Sequence, residues 1–562
     1  MGLLFNEAPA TLRYSSAPTD KTKVEFGWQR IVWFMVSLGV ILRLFHFFYN
    51  RSLWLDEIYL STSLIKLTFK ELTAPMLEYE QKAPVGFLWL VRVSVLLFGK
   101  NEMALRLVPL LSGIASLLLF LPVARFFLKP LGVVVAMGIL ALAPPLVYHA
   151  VEIKQYSFEM LATIVGLYLY TRYYKKQDLS SLLLWGIWGA LLIWFSYSCI
   201  FILAGIAIGT ELYYLFKKEW PLFLRLLVPF TMWLLSFVAY YLLFTSKSMG
   251  SAWLVDWFAH RDAFMPLPPT KFSDLKWFIQ TPYNLMDYPM GLLWFSHKLG
   301  SNLLLRFLVR GTLLPLGLFL IGLVAIAKSN KKIFLILIFP LLLTFVASGF
   351  KAYPIYERLL VFLAPLVIFF VAQGCESFTC FFSARFNWVY VVPALLLAAP
   401  LVNSINQVVN PEKFGRIRQF HREAFLYINE RYKPGDAVYV YWNELPAYRF
   451  YKSIYNLKYK AIEGHDVRFT SHNINDYFRK LSPDFKALAN KKRAWLIYDR
   501  NLFINIGDFG PPDWYRQAHI PQPYKFLIHN KFAEMGKEID AYKTEYLAVV
   551  LFDLGNKTPN GK

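Results

Sequence analysis

Cysteine is scarce in this chain: three in 562 residues. Cys199 lies in an apolar run, and Cys375 and Cys380 flank an expected loop. No CxxC pair and no neighbouring His accompany them, which argues against a zinc site and a disulfide framework. Charge is scarce too, at 17% of residues, where soluble domains carry about 25%. Acid is scarcer than base, 37 Asp and Glu against 59 Lys and Arg. Much of the surplus base sits in short loops between apolar segments, where it reports topology. A phosphate-reading, nucleic-acid-binding surface is therefore not implied. What the chain has in abundance is apolar surface, 57% hydrophobic and 18% aromatic residues. These values describe a polytopic α-helical membrane protein.

The composition changes near residue 404. From Ser404 onward there are 25 Lys and Arg, 17 Asp and Glu, and no long apolar run. Two domains are expected: a membrane body over 1–403 and a soluble α/β domain over 404–562. A membrane helix needs about 20 apolar residues. The candidates are roughly 31–49, 104–124, 131–147, 156–172, 181–197, 199–216, 222–245, 301–327, 333–349, 359–373 and 387–403. The run 31–49 is too long for a signal-peptide core and no small-residue cleavage site follows it, so it reads as a retained span.

Basic residues near span ends orient the chain. Lys21, Lys23 and Arg30 put the N-terminus inside, and Arg172, Lys175, Lys217, Lys328 and Lys332 also belong there. These assignments close only if the apolar segment 84–98 does not cross. It is expected to be an interfacial helix, leaving about eleven spans. Four regions then meet the outer face: 50–103, 148–157, 246–300 and 351–358, with the soluble domain beyond them. Arg43, His46 and Arg92 lie near span ends or the interface and are expected to snorkel.

The first outer region contains "SLWLDEIYL" (52–60), with adjacent carboxylates Asp56 and Glu57 just after a membrane exit. Glu78, Glu80 and Lys82 follow, then Glu152 and Lys154, then Glu357 and Arg358. Ionisable groups beside hydrocarbon are costly and mark functional sites by default. Acids and bases collected on one leaflet beneath a soluble cap form a candidate active site. A channel would distribute polar residues along its spans. A transporter of lipid-linked sugars, the alternative reading, would favour inverted repeats and helices broken at the midplane.

Five segments resemble the GT-C class of membrane glycosyltransferases, in the branch of protein O-mannosyltransferases and the aminoarabinose transferase of lipid A. They are "LWLDE" (53–57), "EYEQKAPVGFLWL" (78–90), "LFGKNEMALRLVPLLSG" (97–113), "VEIKQYSFE" (151–159) and "KAYPIYERLLVFLAP" (351–365). They run in family order over nearly the whole membrane body. The resemblance implies transfer of a sugar from a polyprenyl monophosphate to a glycan, lipid or protein acceptor on the extracytoplasmic face. A single displacement, and so inversion, is implied as well.

Asp56 matches the family's catalytic aspartate, and a carboxylate within hydrogen-bond reach of the acceptor suits a general base. Glu57 and Glu80 are further acid candidates, although Glu57 also suits a helix N-terminus. A departing phosphate calls for fixed cations. Arg358 fits by its two-pronged guanidinium, and Lys82, Lys154 and Tyr156 match the family's basic elements. Gln81 and Ala83 depart from the lipid A branch. Glu78, Glu152 and Trp253 are candidates for sugar or acceptor contact, with Trp253 on the long loop 246–300, a candidate lid.

No cofactor is required by this reading. Some GT-C relatives use a divalent ion, but His260 and Asp262 are too isolated to indicate a metal site. In the tail, a helix over "RQFHREAFLYINERYK", a "PGD" turn, and strands at "AVYVYW", "RAWLIYD" and "EYLAVVLFD" are expected. No nucleophile motif or Gly-rich phosphate loop appears there. The expected setting is a bacterial inner membrane, with the N-terminus cytoplasmic and the tail extracytoplasmic.

Overall fold

The structure is a computed structural model, and it describes residues 18–246, 252–294, 313–382, 388–413, 419–500, 512–519 and 527–555. Apolar sequence and length together make seven of its helices able to cross a membrane: Gly27–Tyr49, Glu102–Phe127, Cys199–Lys217, Trp220–Thr245, Lys331–Gly349, Glu357–Phe381 and Tyr390–Val409. Three more expected crossings fall on the shorter apolar helices Pro130–Leu142, Leu179–Ile193 and Leu314–Ser329. The fourth, 156–172, is the helix Tyr156–Tyr173. The first part of the expected span 301–327 lies outside the described residues. The protein is a polytopic helical membrane protein with a C-terminal α/β region.

In chain order the first helices are α1 (Pro18–Tyr49), α2 (Leu55–Lys66), α3 (Val85–Phe98), α4 (Glu102–Phe127), α5 (Pro130–Leu142), α6 (Pro144–His149) and α7 (Tyr156–Tyr173). The α5 sequence carries no charge, and Leu131 through Leu142 are all buried, as befits a helix that is apolar all round. It is the central strut, packed by α1, α4 and the helices Ala364–Phe382 and Trp388–Val409. The expected single span 131–147 is broken: Ala143 has ψ 114°, and Pro144 and Pro145 start the short α6. A helix end leaves its last carbonyls without partners. Arg43 supplies them, donating to the carbonyls of Leu140 at 3.0 Å and Ala141 at 3.3 Å. It does not snorkel as expected, because the broken helix gives its charge acceptors at the C-terminal, negative end of α5. This pin sets where α6 leaves the bundle, and α6 leads directly into residues 150–155.

Val85–Phe98 has 14 residues, about 21 Å at 1.5 Å per residue, against about 30 Å of hydrocarbon. Its start is fastened to the ends of α8 (Leu179–Ile193) and α10 (Trp220–Tyr240). Gly86 N donates to Trp194 O at 3.0 Å and Val85 N to the Tyr240 hydroxyl at 3.3 Å. Arg92, midway along, donates to Leu64 O on α2 at 3.0 Å. Loop 246–300 is not an irregular lid. Its described part folds into the helices Ala252–Ala259 and Phe272–Asp287, which the local apolar spacing supports. It is tied to region 351–358 by Ile355 N donating to Ala263 O at 2.6 Å.

The C-terminal sheet has five strands: β1 (Ala437–Val440), β2 (Ile462–Glu463), β3 (Arg493–Asp499), β4 (Lys537–Lys543) and β5 (Leu547–Asp553), in the order β2-β1-β3-β5-β4. β1 pairs in parallel with β2 and β3, while β5 is antiparallel to β3 and β4. Leu496 faces Tyr439 on one side and Val550 on the other. The central β3 and β5 are buried on both faces and therefore read as continuous apolar runs. The "PGD" turn holds, with Gly435 at φ +98°, a conformation glycine adopts without steric cost.

This sheet region is not independent of the membrane body. One apolar core joins Leu53, Ile58, Leu64, Phe87 and Leu88 of α2, α3 and their approach to Phe425, Ile428, Tyr448, Tyr451, Val549 and Leu551 of the tail. Polar bonds tighten the seam. Arg422 pairs with Glu102 at 2.5 Å, and the Tyr451 hydroxyl bonds Glu102 at 2.8 Å and receives the Leu53 N–H at 3.1 Å. The division expected at 403/404 falls inside the helix Trp388–Val409.

Candidate active site

α2 begins where the chain turns after α1, and its first turn carries both acids. Residues one apart on a helix point about 100° apart, and here the two part company. Glu57 turns inward and is fully buried. Its carboxylate accepts from Trp54 N at 3.2 Å, Arg51 Nη1 at 2.8 Å and Ile153 N at 2.9 Å, with Arg106 at 3.6 Å. All of its capacity is used to cap α2 and fasten region 148–157 to it. Glu57, a catalytic candidate in the sequence, thus lies buried at the start of α2 with its oxygens engaged, apart from the Asp56 cluster.

Asp56 turns the other way. Its Oδ1 accepts from Lys154 Nζ at 3.0 Å and its Oδ2 from Arg358 Nη1 at 2.5 Å. Lys154 also donates to Gln81 Oε1 at 2.5 Å. Three of the four regions expected on the outer face thus meet on one carboxylate. Arg358 lies over the rings of Trp54 at 5.4 Å and Tyr156 at 5.7 Å, a planar cation laid on aromatic faces. Exposure differs in a useful way: the Lys154 side chain is 6% exposed, Asp56 17% and Arg358 30%. Arg358 is the most exposed of the three. Burial pushes the Asp56 carboxyl up, but the charges and hydrogen bonds of Lys154 and Arg358 outweigh it and hold the group below the ordinary carboxylate range. Burial lowers the Lys154 ammonium despite Asp56.

The fourth region enters through Tyr288, whose hydroxyl bonds His149 Nε2. His149 Nδ1 meets Glu152 Oε2 at 2.6 Å, and Trp54 Nε1 donates to Glu152 Oε1 at 3.2 Å. Glu152, a candidate for sugar contact, is 1% exposed with both oxygens engaged. It braces Trp54, the ring beneath Arg358. The remaining candidates lie further out. Glu78 pairs with Lys66 at 3.4 Å on the surface. Glu80 is exposed, at a left-handed φ of 54°, and its charge faces Lys82. Neither acid lies in the Asp56 cluster: both are exposed, on a short turn whose Tyr79 and Glu80 have left-handed φ of 56° and 54°. Lys82 is half-buried, next to the Gln81 that takes Lys154. Trp253 falls in the helix Ala252–Ala259, and its side chain lies outside the described residues.

Sequence reasoning missed Arg51, Trp54, Gln81, His149 and Tyr288 around the cluster, and Gln419, whose Oε1 accepts the Leu55 N–H at 2.7 Å at the start of α2. Two signals were available: Arg51 and Trp54 shortly precede the acidic pair, and His149 lies three residues before the Glu152 that opens "EIKQY". Nothing in the sequence marks Tyr288 or Gln419. Beside the cluster is a polar cavity of about 400 Å³, lined by Asp262, Trp277, Asn284, Asp287, Tyr288, Tyr356 and Glu357 among others. It touches the cluster through Tyr288 and through Glu357, the neighbour of Arg358. Among the described residues no three His, Cys, Asp or Glu side chains gather as a metal site.

A polytopic helix bundle, extramembrane helices after α1, and a capped cluster of acid and cations at one face define the fold of the GT-C class. Comparison with known proteins gives a partial family match and a likeness of fold. Residues 82–247 match the family described as dolichyl-phosphate-mannose-protein mannosyltransferase. The oligosaccharyltransferase of Archaeoglobus fulgidus in its apo form is similar in fold, with TM-score 0.50 and 13% identity over 84% of this chain and 70% of that one. ArnT from Cupriavidus metallidurans, bound to undecaprenyl phosphate, aligns over 95% of this chain and 98% of its own, with 14% identity and TM-score 0.48. No curated protein matches the sequence. The GT-C glycosyltransferase resemblance read from the sequence is borne out.

Proposed function

We propose that this integral membrane protein transfers a sugar from a polyprenyl-monophosphate donor to an acceptor on the extracytoplasmic face. The observation that carries this is the Asp56 carboxylate clasped between Lys154 and Arg358 where four outer regions meet. A donor phosphate bound at Arg358 competes with Asp56 for both cations. As they turn to the phosphate, the carboxylate loses what holds its proton affinity down while its burial remains. Asp56 then becomes a stronger base at the moment the donor is in place. It takes the acceptor proton as the acceptor oxygen bonds the anomeric carbon and the carbon–phosphate oxygen bond breaks. Lys154 and Arg358 stabilise the departing phosphate, whose charge grows in a site poor in water. One displacement with no enzyme nucleophile inverts the anomeric centre.

The cavity on the far side of Tyr288 is the acceptor side in this reading. Carboxylates, a carboxamide and aromatic walls suit a polyhydroxylated group, and its volume lies in the usual range for ligand sites. We place the domain division after Trp388–Val409, and the setting as a bacterial inner membrane with the tail outside, following the basic-loop pattern. Asp56→Asn tests the proposal. Transfer from a polyprenyl-phosphate sugar falls about 10²–10⁴-fold, while polyprenyl phosphate still binds. Full activity in that variant, or lipid phosphate binding indifferent to Arg358, overturns it.

A further inference from the structure

Gln419 stands between the tail and the first turn of α2. Its Oε1 accepts the Leu55 N–H at 2.7 Å, and its Nε2 donates to Asp499 Oδ2 at 3.0 Å. Leu55 is the first residue of α2, and its amide is one of the unpartnered donors of a helix start. The same Oε1 lies 3.1 Å from His421 Nε2, and His421 Nδ1 lies 3.0 Å from Glu444 Oε2. The Leu55 amide can only donate, so the Gln419 atom facing it is the oxygen. Both ring nitrogens of His421 then face acceptors, and only the doubly protonated ring satisfies both.

We infer that the tail positions Asp56: a protonated His421 orients Gln419, whose carboxamide oxygen caps the helix on which Asp56 sits. If His421 gives up a proton, Nδ1 keeps its hydrogen for Glu444 and Nε2 presents a lone pair to the Gln419 oxygen. The two lone pairs repel, and because turning the carboxamide would set its oxygen against Asp499 Oδ2, the side chain is pushed off its place and Leu55 loses its acceptor. His421 is fully buried. The charged groups facing it are Glu444 from the turn before the helix Leu445–Ile454, Asp499 at the end of β3, and Glu423 on its own helix, His421–Arg431. Burial disfavours its charge, but these acids prevail and raise its affinity for the proton above the ordinary value. The capped arrangement therefore holds below that raised value and is released as pH rises through it. Gln419 and His421 are positioning residues, since neither touches the reacting atoms.

The functional consequence rests on the reading of Asp56 as base, and the test separates the two. Amide hydrogen exchange at Leu55 is followed in the full chain in nanodiscs between about pH 6 and 9, corrected for intrinsic rates. Wild type is expected to keep Leu55 protected at low pH and to lose protection about fivefold on the alkaline side, the scale of one helix cap. Gln419→Ala loses it at every pH, and His421→Gln abolishes the pH step. A Leu55 protection that ignores pH in wild type and ignores Gln419→Ala overturns the inference, whatever the activity. In the transfer assay, kcat of wild type falls along the same alkaline step while His421→Gln shows no such step. If Asp56→Asn abolishes transfer yet neither tail variant alters the profile, the positioning role falls and the transferase reading stands. If Asp56→Asn transfers normally, the transferase reading falls and the exchange data alone decide the capping.

Discussion

Asp56 and Glu57 are neighbours with the same charge type and opposite duties, which places the first predictions at the scale of single residues. Glu57→Leu strands Arg51 and Arg106, both buried against it. Removing one partner of a buried ion pair costs about 3–5 kcal/mol, so thermal unfolding in detergent should show a large loss. Asp56 behaves differently. Its folded pKa lies below its unfolded value of about 3.9, so its ionised form favours the fold above that pH. That contribution disappears only as pH falls through the lowered value. The melting difference between wild type and Asp56→Asn should therefore be flat from about pH 5 to 8, and slope there would contradict the ion-pair geometry. Arg358→Ala removes charge-assisted hydrogen bonds to a phosphate and should weaken polyprenyl phosphate binding roughly 10–100-fold, read by titration. Arg358→Lys should restore part of it, since the charge returns without the fork.

Elements decide how much of this was readable beforehand. Asp56, Lys154 and Arg358 were legible because charge beside apolar runs is conspicuous and the topology puts their loops on one side. Glu80 stood in sequence as a further acid candidate, and no pattern reveals that it lies apart from Asp56, exposed at a left-handed φ of 54°. The break at Ala143 was hidden within a run of unbroken hydropathy, although Pro144 and Pro145 announce it in hindsight. Loop 246–300 read as a lid by length alone, and its helices needed tertiary partners. Close helix contacts were likewise invisible. Gly322 and Gly374 bring the helices Leu314–Ser329 and Ala364–Phe382 together so tightly that a methyl on Gly322 meets the Phe370 carbonyl, and one on Gly374 meets that of Leu318. Gly322→Ala should cost about 1–3 kcal/mol by overpacking, measured by the same unfolding assay.

At the scale of the whole molecule, the tail shares a core with α2 and α3 and lies over the cluster. Its composition announced a soluble domain but not that its apolar face is completed by the helices bearing the site. Glu102 holds that seam through Arg422 and Tyr451. Glu102→Ala should weaken docking by about 2 kcal/mol. Limited proteolysis would then cut within the tail faster than in wild type, and unchanged cleavage would mean the apolar contacts suffice. The expected strands at 437–442, 493–499 and 545–553 were found, over 437–440, 493–499 and 547–553, because buried strands are apolar throughout. The charged edge strand Lys537–Lys543 escaped because four of its seven residues are Lys, Glu or Asp, a composition that guards an edge and conceals a strand.

Arg43 has a further consequence during synthesis. The carbonyls it binds belong to Leu140 and Ala141, which leave the ribosome almost a hundred residues after it. Until α5 arrives, only the Gly39 carbonyl of its own helix accepts from Arg43, and a charge in hydrocarbon costs at most about 2.5–3.5 kcal/mol. The first helix is thus a provisional insertion that the fifth makes permanent. Chains truncated before α5 should retain α1 in the bilayer less efficiently than the same chains with Arg43→Leu, and the difference should vanish once α5 is included.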